Sequence, residues 1–99
     1  MTEEPFRFPA FTPTDMQVFV LFCKALVTDD DGHTIARVVD VRAHPEYTTL
    51  TEDAFLDSVR FLTDRHYLRP IYFAAYRMAA TYGVDPEALA VARNYGLVE

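Results

Sequence analysis

The side chains able to do chemistry are few, and their spacings assemble no reaction centre. Cys23 lies among Val20, Phe22 and Leu26 in an apolar run, the setting of a buried and inert thiol, and as the only cysteine it forms no internal disulfide. His33, His44 and His66 have no cysteine or acid at the spacings of a zinc site. The run Asp29-Asp30-Asp31-Gly32 has the makeup of a calcium loop's opening, but the bidentate glutamate such a loop needs would fall at Val38, so a solvated acidic loop is expected. There is no glycine-rich phosphate cradle. These readings predict a protein that is not an enzyme, with no cofactor and no metal.

What remains is charge, and it is unevenly placed. The net charge of −6 argues against non-specific binding to nucleic acid or to anionic membrane surfaces. Residues 1–64 carry twelve acids against five bases, whereas residues 65–99 carry three against four. Asp53, Asp57 and Asp64 recur at helical spacing and share one face with Arg60, an acidic surface suited to a basic protein partner. From Arg65 to Tyr82 there is no acid, and Arg65, Arg69 and Arg77 alternate with Tyr67, Tyr72, Tyr76 and Tyr82. Arginine can hold phosphate and tyrosine can stack on bases, so this segment, with Arg93, is the candidate for nucleic acid. Core packing explains the same tyrosines, and nearby acids the same arginines.

At the level of whole elements, 51% hydrophobic residues with only three glycines in ninety-nine predict one packed domain, residues 12–99, behind an extended aromatic arm, residues 1–11. Pro5 and Pro9 disfavour helix in that arm, whose Phe6, Phe8 and Phe11 either seal the core or grip a partner. Thr12, Pro13 and Asp15 form a helix start with a capping box, and the apolar run Val18–Val27 predicts a central, buried helix ending near Thr28. Residues 33–43 fit a helix by the spacing of Ile35, Val38 and Val39, and a strand by their branching; Asp31 as a cap favours helix. Thr51 caps a third helix, whose buried stripe is Phe55, Val59 and Leu62. Pro70 is placed at the start of a fourth helix, stopped by Gly83, and Asp85-Pro86 at the start of a fifth, stopped by Gly96. The fold expected is therefore all-α, five helices in one domain.

Residues 13–70 resemble the winged-helix arrangement: an apolar first helix, a short second one, then a helix closing on Leu62-Thr63-Asp64-Arg65-His66-Tyr67-Leu68, with His66 where the winged-helix pattern has glycine. Ile71–Tyr76 reads as helix where a wing needs strands, so the expectation is a helix-turn-helix-like core without a true wing. Ala79, Gly83, Val84, Leu89 and Ala92 also match the small, turn and core positions of a simple helix-turn-helix. The resemblance implies transcription or other nucleic-acid machinery as the setting. A reading helix needs Arg, Lys, Asn or Gln aimed at bases, whereas residues 51–66 aim aspartates outward.

The function expected is thus a non-enzymatic interaction module that binds a protein through Asp53, Asp57 and Asp64, with Phe6 and Phe8 as a second contact. A small DNA-binding regulator using Arg65, Arg69, Arg77 and Arg93 is the alternative, a small enzyme is a distant third, and a homodimer is compatible with either of the first two. The chain opens Met1-Thr2-Glu3-Glu4-Pro5 rather than on a signal peptide, and its longest apolar run is too short to cross a membrane, so a cytoplasmic protein is expected.

Overall fold

A computed structural model describes residues 11–75 and 78–97. Its first helix, α1 (Pro13–Lys24), begins as the sequence dictates. The Thr12 hydroxyl accepts a hydrogen bond from the Asp15 amide at 3.1 Å, and the Asp15 carboxylate accepts one from the Thr12 amide at 3.1 Å. Asp15 is itself buried, and its other oxygen accepts from the Ser58 hydroxyl at 2.7 Å, so one carboxylate both caps α1 and ties it to the third helix.

After Lys24 the chain leaves the helix for a hairpin, β1 (Leu26–Thr28) and β2 (Thr34–Arg37). The turn between them is made by the acidic run. Asp29 Oδ1 accepts from the amides of Asp31 and His33 at 2.9 and 2.8 Å, and Gly32 takes the positive φ of 86° that a tight turn requires. A short helix α2 (Val38–Ala43) and a 3-10 turn (Pro45–Thr49) lead to α3 (Glu52–Asp64), capped by the Thr51 hydroxyl. Strands β3 (Leu68–Ala75) and β4 (Met78–Val84) form a second hairpin, and α4 (Pro86–Asn94) starts on the Asp85 cap. No helix among the described residues is long and apolar enough to cross a membrane.

The fold is therefore α+β, with four α-helices and a four-stranded antiparallel sheet in the order β1-β2-β4-β3 among the described residues, and the expected all-α, five-helix architecture is wrong. Two segments account for the error. Residues 33–43 divide at Arg37 into a strand and a helix. Residues 70–82, expected as one helix, are most of the second hairpin, so two strands do follow α3 where none were expected. Pro70 fits there because β3 is an edge strand, where the missing N–H breaks no inner ladder. Gly83 is no helix stop: it sits within β4, opposite Arg69.

The sheet's inner face packs on α1 and α3. Phe22 stacks on Phe55 with centroids 6.1 Å apart and meets Tyr82 edge-on at 5.4 Å, joining the two helices to β4. Phe11 meets Phe19, Phe61 and Tyr67 edge-on at 6.0, 5.7 and 5.0 Å, so the last aromatic of the expected arm closes this core. Phe6 and Phe8 lie outside the described residues.

α3 ends in a Schellman arrangement, with the His66 amide donating to Thr63 and the Tyr67 amide to Leu62. His66 holds the left-handed position at φ 68°, where a β-carbon crowds the backbone. Replacing His66 by glycine is expected to stabilise the fold by about 1 kcal/mol, read as a higher midpoint in urea unfolding.

Candidate functional site

The outward side of α3 carries uncompensated negative charge. Burying Phe55, Ser58, Val59 and Leu62 against the core turns Asp53, Asp57, Arg60 and Asp64 to solvent along one stripe. Arg60 Nε stands 4.0 Å from Asp64, both side chains largely exposed, while Asp53 and Asp57 have no cationic partner among the described residues. Glu52, one residue before the stripe, is answered differently. Arg42 grips its carboxylate with two bonds of 2.9 and 2.8 Å, and the Tyr47 hydroxyl donates a third at 2.6 Å. The Arg42 guanidinium also lies over the rings of Tyr47 and Phe55, at 5.7 and 5.3 Å. The hydrogen bond to Glu52 raises the pKa of Arg42 above its ordinary value, and burial raises that of Tyr47. The knot fixes the start of α3 and therefore the aim of the stripe.

Beside the stripe runs a groove of about 350 Å³ between α3 and the second hairpin. Leu56, Val59 and Tyr82 give it an apolar floor, and Arg60 and Asp64 stand on its edge. An apolar floor with a charged edge is the form of a protein-docking surface.

The described candidate nucleic-acid residues lie on three separate elements. Arg65 caps the end of α3 with its guanidinium 5.0 Å from the Phe61 ring. Arg69 is on β3 and Arg93 on α4, and both line a different groove, between α4 and the sheet. Arg77 lies outside the described residues. Sequence reasoning missed both the Arg42–Glu52–Tyr47 knot and the groove that Arg69 and Arg93 line, because tertiary packing alone creates them.

Asp29, Asp31 and His33 bring ligand-type atoms within 4.8 Å of one another. Their arrangement is explained by the turn they build, with the His33 carbonyl accepting from the Asp29 amide at 2.8 Å. Cys23 is buried in α1, and burial pushes its thiol up to about 12, against a smaller opposing pull from Arg93. A folded-state value above the unfolded one means stability is full below the ordinary thiol range, near 9, and is lost as pH rises towards 12. Native protein is therefore expected to resist iodoacetamide at pH 8 until urea is added, and Cys23→Ala to flatten the alkaline loss of stability between pH 9 and 12.

Compared with known proteins, the chain matches no family model, no curated protein and no solved structure.

Proposed function

We propose that this chain is a winged-helix-like interaction module of the cytoplasm, without catalytic activity, that holds a basic protein partner on the exposed acidic face of α3. The observation carrying this reading is the charge of that face: Asp53, Asp57 and Asp64 point to solvent, and on the stripe itself Arg60 alone opposes them. A winged-helix protein that reads DNA lays this helix in the major groove, where three aspartates would stand against phosphate. The same charges attract lysine- and arginine-rich protein surfaces, and the adjoining groove supplies apolar area. Support for the fold likeness comes from the β3–β4 hairpin, which follows α3 in the place of a wing and pairs through β4 with β2. Transcription or related nucleic-acid machinery is the setting this likeness suggests.

A second reading, a small DNA-binding regulator, is favoured only by the presence of Arg69 and Arg93 in the lining of one groove. Capture from native lysate with and without nuclease, together with duplex-DNA anisotropy at low salt, separates the two. The acidic-face reading expects a partner that survives nuclease and is released by salt, and no duplex binding. Nuclease-sensitive capture with salt-dependent duplex binding would replace it with the DNA reading.

A further inference from the structure

The second groove has a chemistry of its own. In the β3–β4 ladder, Leu68 and Tyr82 turn inward and are buried, so their neighbours Arg69 and Gly83, which pair directly across the strands, turn outward. Gly83 presents no side chain, and the Arg69 guanidinium lies across it, 3.7 and 3.8 Å from where a β-carbon would stand. A planar cation is thus laid flat on the sheet. Around it the groove is aliphatic, with Ile35 from β2, Ile71 from β3 and Leu89 from α4 among its walls, and its volume is about 450 Å³. Small-molecule sites span roughly 300–1,000 Å³ and combine such apolar walls with a few placed polar groups.

The charge balance decides the sign of the ligand. Arginine stays protonated throughout the physiological range. Among the described residues Arg69 has no ion pair, and the nearby carboxylate of Asp85 accepts from the Ala88 amide at 3.0 Å as the cap of α4. Arg93, on α4, lines the same groove.

We infer that the groove between α4 and the strands β2, β4 and β3 binds a small aliphatic carboxylate, its head on the Arg69 fork and its chain against Ile35, Ile71 and Leu89. A guanidinium matches a carboxylate with two parallel N–H donors, and the aliphatic walls match a short hydrocarbon chain better than a sugar or a nucleotide. The groove shares no lining residue with the one beside α3, so it is separate from the acidic stripe.

Octanoate is the probe, titrated into the full chain and followed by amide NMR shifts, with 1-octanol as its uncharged counterpart. Saturable shifts are expected at Gly83, Ile71 and Leu89, with octanol binding more weakly than octanoate. Arg69→Gln, an exposed change that should leave the melting temperature in place, is expected to weaken octanoate by on the order of tenfold or more. Gly83→Val, which displaces the guanidinium from its seat, is expected to weaken it as well. Octanol binding as tightly as octanoate, undiminished affinity in Arg69→Gln, or shifts confined to α3 would each overturn the assignment.

Discussion

Phe22→Ala is expected to remove about 3–5 kcal/mol of folding free energy, a large part of the roughly 5–15 kcal/mol that holds a domain of this size together. Phe22 is fully buried at the point where three elements meet. Its ring stacks on Phe55 of α3 at an interplanar angle of 3° and meets the edge of Tyr82 of β4 at 77°. Truncation to alanine removes the transfer free energy of the ring and leaves a cavity. Its neighbours Phe55 and Tyr82 cannot close it without moving α3 or β4. The two ring contacts add about 0.5–1.5 kcal/mol each beyond area burial, which places the change at the upper end of the range. Urea unfolding followed by far-UV circular dichroism measures it. A loss below about 1 kcal/mol would mean that α1 does not sit between the sheet and α3 as described.

How far the fold was legible depended on how local each signal was. The starts of α1, α3 and α4 were readable to the residue, because a cap is a contact between neighbours in sequence: Thr12 with Asp15, Thr51 with Ala54, Asp85 with Ala88. The stripe of aspartates was readable for the same reason, since a helix with a known start and period fixes which residues face out. The hairpins were not. Pro70 suits the first turn of a helix and an edge strand equally, and only the strand order, a tertiary fact, decides between them.

Bulges add to this. The register between β3 and β4 shifts three times between Pro70 and Ala75, so the two-residue alternation that announces a strand is broken. Residues 33–43 held both signals because they are both things, strand to Arg37 and helix from Val38. One clue was available and outweighed. Asp31-Gly32, between the branched runs Val27-Thr28 and Thr34-Ile35, is a hairpin turn signature, and reading Asp31 as a helix cap discarded it. The two grooves lay beyond reach, since each joins residues from elements far apart in the chain.

The variant carrying Asp57→Lys and Asp64→Lys together is expected to abolish partner binding while leaving the fold within about 0.5 kcal/mol of the parent. Both side chains are exposed on α3, and the ion pair that the variant removes, Arg60 with Asp64 at 4.0 Å, is a surface pair of little energetic weight. The stripe, however, changes sign: three acids against Arg60 make −2, and two lysines in place of two of those acids make +2. A lysine- or arginine-rich surface docked there would then meet like charges inside the screening distance of about 8 Å at physiological salt. Like-charge contact across an interface costs several kcal/mol, which corresponds to on the order of a hundredfold or more in affinity. The captured partner, titrated against parent and variant by calorimetry at two salt concentrations, gives the measurement, with the melting temperature as the control for folding. The same variant tests the rival reading, because two new cations on a DNA-facing helix would tighten duplex binding. A partner held undiminished, beside a gain in duplex affinity over a parent that already binds DNA, would show that phosphate, and not a basic protein, is what α3 meets.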